Sequence, residues 1–172
     1  MNNWQAFLDW LTAQGVAHTT QEHEPFTSTL TRPAVDTSGW EFPVKNFLVY
    51  DKNRTFYLIT AHLDCPPLDF KAIGPQVGAR GQLSFAKAED LANLLGVLPG
   101  SVSPYAVYLP QAATVKVVLD ARLRQARTLS AHPLSNDRTT TIAVADLLKL
   151  YRLSGHTPQW LDLPFKVTEA VA

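Results

Sequence analysis

Cysteine is nearly absent from this sequence: Cys65 stands alone among 172 residues. One cysteine cannot form a disulfide within the chain, and a chain without disulfides is typical of a reducing compartment. The neighbouring His62 and Asp64 in "HLDC" lack the second ligand pair, at similar spacing, that a structural zinc site needs. We therefore expect a cytoplasmic protein that uses no metal and no other cofactor.

Net charge and long apolar runs are also missing. Fifteen basic residues balance fifteen acidic ones, which excludes binding of DNA or RNA by bulk electrostatics but leaves a local basic patch open. The N-terminal "MNNWQAFLDWLTAQG" has neither the basic start nor the apolar centre of a signal peptide. No apolar run approaches the length of a membrane span. We expect neither DNA nor a membrane as a partner.

The common nucleotide-binding and hydrolase motifs do not occur. No G-x-G-x-x-G follows a strand and no G-x-x-x-x-G-K-[ST] is present, so dinucleotide and P-loop binding have no support. Ser101 and Ser103 lie in "PGSVSP", which does not match the G-x-S-x-G turn of serine hydrolases. These absences argue against a covalent serine mechanism.

What is present is an interspersed series of helical and strand-like segments. Apolar spacing predicts helices at 4–14, 88–95 and 145–154, a shortened helix near 68–76, and strands at 46–50, 55–60, 82–86, 114–120 and 139–144. The segments 16–43 and 121–138 are polar and turn-rich, so we expect no long element in the first and a connection with one helical turn in the second. This order predicts a single α/β or α+β domain over 1–172 with a mixed sheet. Residues 157–172 form a C-terminal tail that docks or frays.

The loop "GVLPGSVSPYAV", residues 96–107, is unusually constrained, with two glycines and two prolines in nine positions. Its simplest interpretation is a chain reversal. The alternative is a loop that presents backbone N–H groups to a ligand. Lys45 and His132 each have an ordinary explanation as well, as a solvated surface cation and a turn histidine.

Taken in order, four segments resemble one family. They are "VKNFLVYD", "LSFAKAEDLANLLGVLPGSVSPYAV", "KVVLD" and "HPLSNDRTTTIAVADLLKLYRLSGHTP". Together they are similar to the YbaK-like superfamily, which includes the editing insertion domain of bacterial prolyl-tRNA synthetase and freestanding prolyl-tRNA editing proteins. The resemblance runs from about Gly15 to His156. It implies a mixed, mostly antiparallel sheet curled into a partly open barrel with flanking helices.

The resemblance also implies an activity, which is hydrolysis of the ester of mischarged Ala-tRNA(Pro) by a water nucleophile. Lys45 would position the 3′ end of the tRNA, and the loop from Gly100 to Pro104 would lie against the ester with its backbone N–H groups. His132 would line the same small pocket. The candidate catalytic residues are Lys45, Gly100, Ser101, Val102, Ser103, Pro104 and His132, and the candidate substrate contacts are Asn46, Asn136 and Phe26. The implied partners are the acceptor end of tRNA(Pro) and, transiently, prolyl-tRNA synthetase.

Three departures from the family pattern concern the edges of the site. Lys87 and Ala88 replace a Ser-Pro helix start, which weakens the N-cap, and Pro75 interrupts a segment that relatives keep helical. Residues 27–43, which help to shape the amino-acid pocket in relatives, match poorly. Two alternatives therefore stay open. One is a deacylase for cysteine, serine or 2-aminobutyrate on tRNA, and the other is a non-catalytic tRNA- or protein-binding module.

Overall fold

Helices and strands alternate along the chain in the computed structural model, which describes residues 3–26 and 35–167. The helices are α1 (Asn3–Ala13), α2 (Phe70–Gln76), α3 (Ala88–Leu95) and α4 (Val144–Leu153). The strands are β1 (His18–Glu22), β2 (Val44–Tyr50), β3 (Phe56–His62), β4 (Ser84–Phe85), β5 (Lys116–Asp120), β6 (Thr128–Ala131), β7 (Arg138–Ala143) and β8 (Gln159–Leu161). Within the described ranges, every helix is too short and too polar to cross a bilayer.

The strands form two sheets. The larger has the order β4-β2-β3-β5-β8 and the smaller has the order β1-β7-β6. The pairs β3–β5 and β5–β8 are parallel, and the other pairs are antiparallel. The sheets meet where Pro43 bridges Ser130 and the Ser130 N–H donates to the Phe42 carbonyl oxygen at 3.1 Å. Across the two sheets the strand pairing is therefore mixed and mostly antiparallel, as predicted, and the sheets do not close into a barrel.

The predicted hairpin is confirmed as β2 and β3. Leu48 faces Leu58 and Phe47 faces Ile59 across the pair. At the turn, the carboxylate of Asp51 accepts hydrogen bonds from three backbone N–H groups, those of Asn53, Thr55 and Arg80. These bonds lower the pKa of Asp51, the Arg80 amide contributing most.

Alternate residues of the larger sheet pack into two separate cores. Leu58 on one face packs with Phe7 of α1 and Leu147 of α4. Ile59 on the other face packs with Ile73 of α2. Because both faces of the central strand are covered, β3 shows a nearly continuous apolar run rather than an alternating one.

Three strands, β1, β6 and β8, lie in segments where the sequence showed none. β1 falls within 16–43 and is polar because it is the outer strand of the smaller sheet, so most of its side chains face solvent. β6 falls within 121–138, which we expected to be a connection with one helical turn. That expectation was wrong for residues 128–131, because a four-residue strand is too short to show a period. The one-turn helix is present, at Ala121–Gln125.

The C-terminal tail docks on the larger sheet. In the tail, β8 pairs with β5, and Leu161 and Leu163 are buried. α2 is seven residues long and contains Pro75. α3 begins after Lys87, whose backbone N–H donates to the Asp90 carboxylate at 3.1 Å, so a residue inside the helix supports its start. The expectation that 27–43 shapes the pocket concerns, in part, residues 27–34, which lie outside the described residues.

Candidate active site

A cavity of about 210 Å³ lies where the two sheets separate. The start of β2 provides Lys45 and Asn46, the end of β6 provides His132, and the loop after α3 provides Gly100. These three segments, which are distant in sequence, therefore meet at one small pocket. Phe26 also lies on its wall.

The two β2 side chains are held by bonds outside the cavity. The Lys45 ammonium donates to the Cys65 carbonyl oxygen at 2.9 Å, and the Asn46 Oδ1 accepts the Thr60 hydroxyl at 2.7 Å. An ammonium has three donors, so Lys45 keeps two N–H groups for a ligand. Asn46 keeps its NH₂ group as a donor. This side of the cavity therefore presents fixed donors.

The loop contributes Gly100 and Val102 to the cavity wall. Gly100 has a φ of +89°, a conformation that L side chains rarely adopt. The Ser101 N–H donates to the Leu98 carbonyl oxygen at 3.0 Å and is thus occupied by the turn. The N–H groups of Gly100 and Val102 have no hydrogen-bond acceptor among the described residues. These two amides are the donors that the loop can offer to a ligand.

The remaining loop candidates lie behind that wall. Ser101 is buried beside a second, smaller cavity. The Ser103 hydroxyl oxygen accepts the Tyr105 N–H at 3.1 Å, and the Pro104 carbonyl oxygen accepts the Tyr151 hydroxyl at 3.0 Å. The structure therefore gives Ser103 and Pro104 contacts that shape the loop, while Gly100 and Val102 face the pocket.

The tautomer of His132 follows from its hydrogen bond. Its Nδ1 lies 2.9 Å from the Arg138 carbonyl oxygen. Because a carbonyl only accepts, Nδ1 carries the proton and Nε2 has a free lone pair in the neutral ring. Burial lowers the pKa of His132 from its ordinary 6.5, and nearby His23 lowers it further against the Arg138 bond, which raises it. The ring is therefore neutral at pH 7.

Asn136 acts on the pocket through Phe26. The Asn136 Nδ2 donates to the Phe26 carbonyl oxygen at 2.9 Å, and the Phe26 N–H donates to the Asn136 carbonyl oxygen at 3.0 Å. The Phe26 ring meets His132 edge-on at 5.2 Å. A Cβ placed on Gly100 would lie 3.8 Å from the Asn136 Nδ2. Asn136 thus joins the loop to Phe26 without lining the cavity itself.

Several residues at the site were not predicted from the sequence, among them Trp40, Thr139 and His23. Trp40 and Thr139 line the cavity, and His23 lies behind it, bonded to the Thr139 hydroxyl at 2.8 Å. Thr139 belongs to "TTTIAV", which showed only a strand, and Trp40 and His23 lie in the irregular segment 16–43. The sequence signal that could have indicated Trp40 and His23 is that each is an isolated aromatic residue among turn residues.

Among the described residues that line the cavity, none is an activated nucleophile of the serine-hydrolase kind. Ser130 lines the wall, but its hydroxyl pairs with the Thr141 hydroxyl at 2.6 Å rather than with an imidazole. Within the part of the chain that the structure describes, no three His, Cys, Asp or Glu side chains are grouped to hold a metal ion. The arrangement suits binding and orientation of a ligand by fixed donors and acceptors.

The lowered pKa of His132 predicts a pH-dependent stability. An unfolded histidine titrates near 6.5, whereas the folded ring takes up its proton only at lower pH. The unfolded state therefore binds more protons as the pH falls below 6.5, and the free energy of unfolding decreases over that range. We expect His132→Gln to make this decrease shallower, measured by urea unfolding across pH 7.5 to about 5. Equal slopes for the two proteins would contradict the assignment.

Comparison with known proteins connects this geometry to a family. Residues 37–150 match the model of the aminoacyl-tRNA editing domain. The chain is 30% identical to the prolyl-tRNA editing protein ProX of Acetoanaerobium sticklandii, covering 95% of this chain and 99% of that protein. The chain is also 33% identical to the prolyl-tRNA synthetase associated domain-containing protein 1 of Danio rerio. That alignment covers 66% of this chain and 62% of the Danio rerio protein.

Solved structures show the same fold. The crystal structure of a putative trans-editing enzyme for prolyl tRNA synthetase superposes with a TM-score of 0.71 at 22% identity, covering 96% of this chain and 99% of that one. The mixed two-sheet architecture is therefore shared along nearly the whole chain. Together with the match at 37–150, it shows that the chain belongs to the aminoacyl-tRNA editing domain family and is an aminoacyl-tRNA deacylase.

Proposed function

We propose that this deacylase removes alanine from mischarged tRNA(Pro) and acts in trans to prolyl-tRNA synthetase. The observation that carries the proposal is the convergence of Lys45, Gly100 and His132 on one small cavity. Similarity to ProX, which is described as a prolyl-tRNA editing protein, supports the choice of tRNA. A cavity of about 210 Å³ that must also admit part of the ribose favours a methyl side chain over a proline ring.

Lys45 binds the tRNA end of the substrate in this proposal. Its ammonium is a compact point charge fixed at the cavity wall by the Cys65 carbonyl oxygen. Contact with the acceptor end alone needs few phosphate contacts, which agrees with a chain of no net charge. A cytoplasmic location, where tRNA is aminoacylated in bacteria, is part of the same proposal.

Hydrolysis proceeds by addition of water to the ester carbonyl carbon. The carbonyl oxygen takes negative charge as the new C–O bond forms, and the N–H groups of Gly100 and Val102 donate to it. The bond to the ribose oxygen then breaks, and that oxygen takes a proton to give free alanine and free tRNA. The neighbouring ribose hydroxyl assists the water. Because an aminoacyl ester is already reactive, orientation of ester and water provides much of the acceleration.

The substrate assay tests the proposal directly. Purified protein is incubated with Ala-tRNA(Pro), Pro-tRNA(Pro) and tRNA(Pro) charged with cysteine, serine or 2-aminobutyrate. We expect loss of the alanyl ester at least about 10-fold faster than loss of the prolyl ester, because the ring is excluded from the cavity. Faster loss of another small amino acid would reassign the substrate. The absence of any hydrolysis would favour a binding module.

Lys45→Ala tests whether Lys45 binds the 3′ end of the tRNA. We expect kcat/KM for the preferred ester to fall by about 10²-fold, since the ester is no longer held in position. Lys149→Ala is the matched control, because the Lys149 ammonium also donates to a backbone carbonyl oxygen, that of Gln14 at 2.8 Å, but lies away from the cavity. The control should keep the activity of the original protein. Equal losses of kcat/KM in both variants would contradict a role for Lys45 in the active site.

The loop is tested with a pair of neighbouring substitutions. Gly100→Val places a branched side chain on a backbone with a φ of +89° at the cavity wall, so we expect kcat/KM to fall by at least about 10-fold. Ser101→Ala removes a hydroxyl that does not face the cavity and should change kcat/KM by less than about twofold. The reverse order would show that the serine, and not the loop backbone, acts on the ester.

A further inference from the structure

Two hydrogen-bond acceptors lie side by side on the cavity wall. Continuing the register of β6 and β7 by one pair beyond Ala131 and Thr140 places His132 opposite Thr139. Directly opposed side chains have Cβ atoms about 4.5–5.5 Å apart. Both residues line the cavity.

His23 fixes the role of the Thr139 hydroxyl. The His23 Nδ1 lies 2.8 Å from the Glu24 carbonyl oxygen, so it carries the proton and donates. In the neutral ring Nε2 then accepts, and its partner at 2.8 Å is the Thr139 hydroxyl. The single proton of Thr139 is thus directed to His23. The Thr139 oxygen meets the cavity only as an acceptor.

His132 is fixed in the same sense. Its Nδ1–H donates to the Arg138 carbonyl oxygen, so Nε2 is the acceptor. The pair His132 Nε2 and Thr139 Oγ1 therefore offers two acceptors and no donor. Such a pair binds a group with two or more N–H bonds on one nitrogen, and it repels a carbonyl or phosphate oxygen.

We infer that His132 Nε2 and Thr139 Oγ1 bind the free α-amino group of the aminoacyl ester, with His23 as the positioning residue. The inference rests on the proposed deacylation. The α-nitrogen is separated from the ester carbonyl carbon by one carbon atom, so an ester held against Gly100 and Val102 has its amine within reach of the same cavity. Among the described residues no carboxylate lines this cavity, so neutral acceptors make the contact.

The ring of His23 is itself held in place by aromatic neighbours. It packs on Phe26 with ring centroids 4.9 Å apart and meets Trp40 at 6.4 Å. Its backbone N–H donates to the Asp137 carbonyl oxygen at 2.9 Å. His23 does not line the cavity, so it affects the substrate through the direction of the Thr139 hydroxyl. An N-acylated amine has one N–H and added bulk, so the pair discriminates against peptidyl and N-acetyl esters.

The test compares three esters on the same tRNA. The alanyl ester has a free amine, the propionyl ester lacks the amine, and the N-acetylalanyl ester has a blocked amine. We expect the original protein to prefer the alanyl ester by at least about 10-fold in kcat/KM, the scale of a hydrogen bond to a charged group. Thr139→Val should raise KM for the alanyl ester by about 10-fold and leave propionyl hydrolysis unchanged. Thr139→Ser, which restores the hydroxyl, should recover the original KM.

The role of His23 is tested by a double-mutant cycle. His23→Phe keeps the packing on Phe26 but leaves the Thr139 hydroxyl without its acceptor, so we expect a selective rise in KM for the alanyl ester that is smaller than that of Thr139→Val. Combining both substitutions should add nothing, because they remove one interaction. Additive losses would overturn the role of His23.

The remaining outcomes separate this inference from the proposed function. Equal kcat/KM for alanyl and propionyl esters in the original protein, which needs no variant, would overturn amine recognition while leaving deacylation intact. If another amino acid is the preferred substrate, the same comparison uses that ester and its des-amino analogue. If no ester is hydrolysed, the proposed function fails and the inference fails with it.

Discussion

The backbone bridge between the two sheets is the constraint on which the site depends. Pro43, which has no N–H to donate, bridges Ser130 just before β2 begins, and one bond from Ser130 to Phe42 supports it. Beyond this bridge β2 pairs with β3 and β6 pairs with β7, so the two strands separate. Pro43, Ser130 and the residues that follow each of them then become the walls of a cavity.

The polar groups on those walls share one property, which is that each is bonded on its outer side. The Lys45 ammonium is bound by a carbonyl oxygen, the Asn46 oxygen by a hydroxyl, and the His132 ring by the Arg138 carbonyl oxygen. Each outer bond removes rotamer freedom, and those of Asn46 and His132 also decide whether the atom that faces the cavity donates or accepts. Little reorganisation is then needed when a substrate arrives, which is the condition under which fixed dipoles are effective.

Sequence periodicity predicted the elements that bury an apolar face, which are the β2–β3 hairpin, α1, α3 and α4. It did not predict β1, β6 and β8, because an edge strand is polar and a strand of three or four residues has no measurable period. The site residues also fall into a predicted group and a group that was not predicted. Lys45, Gly100 and His132 belong to motifs whose order resembles a family, so they were identified. Thr139 and His23 acquire their roles only through the pairing of β7 with its two neighbours, β1 and β6, and neither of these strands was predicted.

Two buried tyrosines connect the loop to the rest of the molecule. The Tyr151 hydroxyl of α4 donates to the Pro104 carbonyl oxygen, and the Tyr105 hydroxyl donates to the Thr140 carbonyl oxygen at 2.8 Å. Burial raises the pKa of both phenols, so they stay protonated as donors. The C-terminal end of the loop is therefore anchored in the core by two hydrogen bonds. Because these bonds are buried, the loop backbone keeps its place beside Gly100 and Val102, and this wall of the cavity is formed before a ligand binds.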